Sequence, residues 1–228
     1  MTTIGMRHDQ TGAMTDKVSV TWKSLLACGV ISSALYAVID LLAGRSYDGY
    51  SFYSQTISDL GAVGAPKPVW LAPLFLTYCV LMVVFSITVM LYARRRNNRI
   101  ANVGILLLLY MIVGSGTSLF PMHVRGTATL ADDMPHIIAG LTAMTVMLIT
   151  MIVGSTALGK NFRRFSLITF ASVIVFGALT VPSGMKLAAG EPTPGMGLLE
   201  RLAYYSMLVW IAGLSLALLR RHEGRIAP

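Results

Sequence analysis

At 228 residues, 55% of them hydrophobic and only 12% charged, the chain lies outside the range of soluble domains, where about a quarter of residues are charged. A net charge of +8 would direct a soluble protein toward nucleic acid. Here the charges border charge-poor stretches of about 20 residues, the length that crosses ~30 Å of hydrocarbon. An all-α polytopic membrane protein is therefore expected, without a nucleic-acid partner.

Residues 1–21 are polar and predicted to be disordered. A six-helix membrane domain is expected over 22–221, with spans at 23–44, 68–93, 99–120, 135–158, 163–181 and 197–219, then a tail over 222–228. The first span holds a stretch (SSALYA, 32–37) that mimics a signal-peptidase site. Its apolar run is too long for the core of a signal peptide, so it reads as a retained helix. Cys28 and Cys79 fall inside spans without metal-ligand spacing and read as small core residues rather than a disulfide framework. Spans three and five end in similar runs, GTSLFP (116–121) and GALTVP (177–182), and each is predicted to stop at its proline, which lacks an N–H and clashes with the preceding turn. Close helix contacts are expected at Gly114, Gly116, Gly140 and Gly154.

Six spans put both termini on one side, and lysine and arginine choose the side. Thirteen of the eighteen basic residues fall together: Arg7, Lys17, Lys23, Arg94, Arg95, Arg96, Arg99, Lys160, Arg163, Arg164, Arg220, Arg221 and Arg225. Arg45, Lys67, Arg125, Lys186 and Arg201 fall on the other side. Both termini are therefore expected in the cytoplasm. The longer loops face outward with most of the acids, and long loops are where function concentrates.

The outward passage FPMHVRGTATLADDMPH (120–136) gathers His123, Arg125, Asp132, Asp133 and His136. A helix starting near Asp132 would set an aspartate on the face of His136, where it could orient or charge the imidazole for general base work. The bland alternative is N-capping by Asp132 and Asp133, with Pro135 early in the helix. A zinc ion held by His123, His136 and a carboxylate is a weak further possibility, because no HExxH or Cys/His spacing is present. In the first outward loop, SQTISDLG (54–61) is predicted to form a short interfacial helix capped by Ser54 and stopped by Gly61. A Ser–His–Asp set from Ser54 or Ser58, His123 or His136, and Asp59 is conceivable, without a nucleophile-elbow sequence behind it. Asp40 lies about a turn inside span one, where a charge is costly and functional by default; Arg45 or the outward loops are its expected partners. Glu200 and Arg201 open span six, where the helix dipole favours the glutamate. Lys186, near Ser183, is placed to meet lipid phosphate. The catalytic candidates are thus His123, His136, Asp40 and Asp59. The substrate-binding candidates are Ser54, Ser58, Arg125, Asp132, Asp133, Lys186, Glu200 and Arg201.

The run SQTISDLGA (54–62), the LFPMH turn (119–123), the PHIIAG helix start (135–140) and LLER (198–201) together resemble a bacterial multi-pass membrane family known as domain of unknown function 998. The resemblance runs from about Trp22 to the end, and SQTISDLGA is its most specific part. It implies a compact helical domain of the bacterial inner membrane with motifs at the outward helix ends, and no reaction. Ser54, Asp59, His123, His136 and Glu200 are the positions that fit its pattern.

The residue types suit an outward polar site that binds, and in an enzyme hydrolyses or transfers, a lipid or other amphiphile by His/Asp acid–base or metal-assisted chemistry. A transporter is less expected. The span centres offer only neutral groups such as Ser33, Tyr78, Tyr110, Thr145, Ser172 and Ser206, whereas coupled transport uses charges or broken helices near the midplane. A non-catalytic scaffold or sensor is the main alternative, and two rim histidines fit a buried haem poorly. Membrane lipids are the expected partners, and a homo-oligomer is allowed.

Overall fold

A computed structural model describes residues 3–93 and 98–224; Arg94, Arg95, Arg96 and Arg225, counted above with the inner charges, lie outside them. Helices α1 (Thr3–Arg45), α2 (Leu71–Ala93), α3 (Asn98–Gly114), α4 (Gly116–Leu119), α5 (Leu130–Ser155), α6 (Lys160–Ala188) and α7 (Met196–Glu223) carry the fold. Among the described residues six stretches are long and apolar enough to cross a membrane, the third being α3 continued by α4. The backbone of α1 runs back from its apolar part at Val20 to Thr3, through the polar stretch expected to be disordered; no proline interrupts it.

Prolines misled two of the predicted boundaries. α5 begins at Leu130 rather than 135, because Thr129 and Asp132 form a capping box and Pro135 falls inside the helix. α6 does not stop before Pro182 but continues to Ala188. Its stop is a Schellman turn: Gly190 takes φ +73°, its N–H donates to the Leu187 carbonyl, and Glu191 N–H donates to that of Lys186. Pro121 does behave as predicted, with the chain leaving the helix at Phe120 (φ −120°, ψ 72°). The resemblance between the two GxxxxP runs thus does not extend to structure.

The helices pack as a ring in chain order, α1–α2–α3–α5–α6–α7, with α7 closing on α1 and α4 seated on α5. Its centre holds Met82, Phe85, Leu107, Met147, Met151, Trp210, Ile211 and Leu214, all sealed from solvent. Apolar residues such as Ile31, Ile105, Ile149 and Ile168 point outward, as a lipid-facing surface requires. In lipid, burial gives helices no hydrophobic advantage over the acyl chains, so close van der Waals approach must hold them. A side chain at Gly104 would strike the backbone of Met90, and one at Gly154 would lie 2.6 Å from the Trp210 ring. Of the four glycines predicted for this role, Gly154 and Gly116 make tight approaches, while Gly114 and Gly140 have ordinary room.

The two ends of the bundle differ. At one, Trp22, Tyr92 and His222 bring the start of the apolar part of α1 and the ends of α2 and α7 together. At the other lie the loops 46–70, 120–129 and 189–195. Replacing Gly154 with leucine should push α5 off Trp210 and cost about 1–3 kcal/mol, the usual penalty for overpacking. A lowered Tm in detergent, reported by Trp210 fluorescence, would show it; an unchanged Tm would contradict this packing.

Candidate functional site

The long-loop end is built around Arg201 in the second turn of α7. Its Nε and Nη2 donate to Asp40 of α1, each at 2.9 Å, forming a two-pronged ion pair with both side chains more than nine-tenths buried. Nη1 donates to the carbonyls of Phe52 (3.1 Å), Gln55 (2.9 Å) and Gly197 (3.1 Å), and Nη2 also reaches the Tyr50 hydroxyl. Every guanidinium N–H is thereby engaged, and the cation lies over the rings of Phe52 and Tyr50. Asp40 accepts a further hydrogen bond from Tyr205, one turn along α7 from Arg201. Arg45 is not its partner, and Arg201 comes from a helix rather than an outward loop.

Arg201 therefore fastens loop 46–70 to the bundle. The Tyr50 hydroxyl donates onward to the Thr56 carbonyl at 2.6 Å. Burial pushes its phenol well above the ordinary range, against the pull of Arg201, so it stays a neutral donor. The loop backbone at Phe52 and Gln55 presses so closely on α7 that only glycine fits at Gly197. The interfacial helix predicted over 54–61 shrinks to a 3-10 turn, Ser58–Gly61, without a side-chain cap. Ser54 instead offers its carbonyl to Arg125 and Thr193.

A second ion pair closes over the first. Arg125 donates to Asp59 through Nη2 (2.8 Å) and Nε (3.1 Å), and to Thr193 Oγ1 at 2.7 Å. Asp59 also accepts from the backbone N–H and hydroxyl of Thr56. Loops 46–70 and 120–129 join again where Val63 N–H donates to the Met122 carbonyl and Val124 N–H to that of Val63. Glu200 accepts the Ile57 N–H at 2.6 Å. One residue before Ser58, the loop is thus tied to α7.

The two histidines have separate partners. His123 meets Asp133 twice, by its backbone N–H and by Nδ1, both at 2.9 Å. Asp132 accepts the N–H and hydroxyl of Thr129, so capping describes it and neither aspartate attends His136. His136 places Nδ1 2.9 Å from the Phe120 carbonyl and 3.1 Å from that of Thr117, and Nε2 3.0 Å from Ser58 Oγ. The Thr117 carbonyl lacks its usual helical donor because residue 121 is proline. Two carbonyls can only accept, so Nδ1 carries a proton, and in the neutral form of the ring Nε2 is left to accept the Ser58 hydroxyl. This is the arrangement of nucleophile, base and orienting group that covalent catalysis needs.

Among the described residues no three His, Cys, Asp or Glu side chains are grouped to hold a metal. His123 and His136 lead to different neighbours and do not form the zinc set considered from sequence. Lys186 is exposed in the last turn of α6. Ser33, Thr145, Ser172 and Ser206 at the span centres donate to carbonyls of their own helices. Sequence reasoning missed Tyr205, although its i+4 spacing from Arg201 set it on the same face, and it did not single out Tyr50. No sequence signal pointed to Thr193 or to the Phe120 carbonyl.

Six membrane-length helices under a cap of interlocked, internally paired loops define a multi-pass membrane protein with one elaborated polar end. The chain belongs to the family described as proteins of unknown function, DUF998, which matches residues 30–217 and so includes every cluster above. No curated protein and no solved structure matches it. Replacing Asp40 with alanine should strand Arg201 as a buried charge and cost about 3–5 kcal/mol. An Asp40→Leu/Arg201→Met pair should recover part of the loss, the remainder being the loop carbonyls left without Nη1. Tm values in detergent measure both, and an Asp40→Ala protein as stable as the parent would contradict this role.

Proposed function

We propose that the protein binds an amphiphilic ester at its long-loop end and cleaves or transfers the acyl group, with Ser58 as nucleophile and His136 as general base. One observation carries the reading: the 3.0 Å contact from Ser58 Oγ to His136 Nε2, with Nδ1 held by the Phe120 carbonyl. Asp40, Asp59, Asp133, Arg125 and Arg201 already face opposite charges or imidazole. Their role is to hold the frame, while both members of the serine–histidine pair stay only partly buried.

The reaction needs no further protein acid. As Ser58 Oγ bonds to the ester carbonyl carbon, its proton passes to His136 Nε2, and the Phe120 carbonyl steadies the imidazolium through Nδ1–H. The bond to the leaving alcohol then breaks, and that oxygen takes the proton from Nε2. Water or a second alcohol, deprotonated by the same nitrogen, attacks the acyl-serine and returns Ser58 to its starting state. The long-loop end faces away from the cytoplasm of a bacterial cell in this reading, supported by the thirteen-to-five division of basic residues.

The purified protein should react covalently with a small fluorophosphonate. The adduct should map to Ser58, disappear in Ser58→Ala, and fall by roughly 10²–10⁴-fold in His136→Ala, the range a positioned base supplies. His123→Ala should react near the parent rate. A membrane-impermeant fluorophosphonate should label intact cells as a permeant one does. Absence of any Ser58 adduct would leave His136 as a clamp between α4 and the loop, and labelling only after lysis would overturn the outward placement.

A further inference from the structure

The two helices that meet beside the serine–histidine pair are not equally packed along their lengths. The buried residues of α6 are Phe162, Ser166, Thr169 and Val173, all in its first half. Those of α5 begin at Ala143, thirteen residues into the helix. The two run antiparallel, so the half of α5 before Ala143 and the half of α6 after Val173 lie together at the long-loop end, and neither buries a side chain. α1 and α7 differ there, burying Asp40, Ala43, Gly197 and Arg201. The α5–α6 seam is thus closed in its inner half and open toward the site.

The floor of the opening is the approach of Gly177 to Met144, where a β-carbon would come 3.8 Å from the sulfur. Two turns further along α6, a side chain at Gly184 would meet nothing within 4 Å. On α5 the eight residues from Met144 back to His136 climb about 12 Å at 1.5 Å per residue. Both stretches lie within membrane-length apolar segments, so acyl chains are the medium beside them. Lys186, two residues beyond Gly184, is exposed on the opposite face of α6 and does not line the seam.

We infer that this seam admits the substrate sideways from the bilayer: a lipid ester with its acyl chain between α5 and α6 and its ester group at the serine–histidine pair. The inference rests on the serine–histidine reading for the reaction, but the lipid route has its own measurement. Two fluorophosphonates compared in phosphatidylcholine–phosphatidylglycerol vesicles, one small and one carrying a long acyl chain, separate the route from the chemistry. Gly184→Trp, which fills the open space at that β-carbon, should slow the long-chain reagent by roughly a hundredfold, as lost substrate placement does, and leave the small one unchanged. Equal rates for both reagents would overturn the route.

A phosphatidylglycerol with a photoreactive group in its acyl chain reports occupancy independently of Ser58. It should mark peptides 133–144 and 177–188 in the parent protein and lose that labelling in Gly184→Trp. Labelling here without any serine adduct would leave the lipid seam standing and remove the chemistry. No labelling, with Gly184→Trp converting a dimer to a monomer, would assign the seam to a second copy of the chain.

Discussion

An arginine and an aspartate sealed within the helices of a membrane protein are costly to hold apart, because each charge has lost its water and neither can regain it from lipid. Asp40 and Arg201 meet that constraint in each other, and the rest of the guanidinium goes to carbonyls of loop 46–70 and to Tyr50. The pair joins the first crossing helix to the last and fixes a loop across the bundle. It also pins Gly197 under that loop, where the approach is too close for any side chain. Without this fastening the loop would keep its second tie, through Arg125 and Asp59, the glutamate contact at Ile57 and the backbone pairing of Val63 with loop 120–129.

The same arrangement sorts the charged groups by role. A general acid or base must be able to give or take a proton at the substrate, and a carboxylate held by two guanidinium prongs is poorly placed to do so. Asp40 and Asp59 act as anchors, and the His123–Asp133 contact ties the second loop to α5. What remains is a neutral serine hydroxyl against an imidazole whose other nitrogen is occupied by carbonyls. The pairing follows from backbone accounting: Pro121 deprives the Thr117 carbonyl of its helical donor, α4 ends at Leu119, and His136 supplies the missing N–H. The opposite ring nitrogen is then left to Ser58, presented by a loop that Arg201 and Glu200 hold in place.

The six crossings were legible because hydropathy over about 20 residues is a local property, and the depth of Asp40 in span one was legible for the same reason. Its partner was not, since nothing along the chain says that α7 returns to lie beside α1. The proline boundaries failed where a nearby motif outweighed the proline. Thr129 and Asp132 start α5 ahead of Pro135, and Gly190 ends α6 well after Pro182. The i, i+3 spacing of Asp133 and His136 set them on neighbouring positions but could not tell that the aspartate would turn to His123. Ser58 and His136 were both named from sequence, yet only as members of a larger set. Their pairing depends on a fold of the loop that no periodicity encodes.

The central claim is that the buried ion pair holds Ser58 against His136 with the imidazole proton on Nδ1. Nitrogen-15 NMR of His136, recorded on the intact protein and on a folded Asp40→Leu/Arg201→Met variant, tests this most directly. The parent should show the Nδ1–H form with a hydrogen-bonded Nε2, and the variant should shift toward the mixed tautomers of a free imidazole. A proton resident on Nε2 in the parent, or a His136 signal indifferent to loss of the ion pair, would contradict the account.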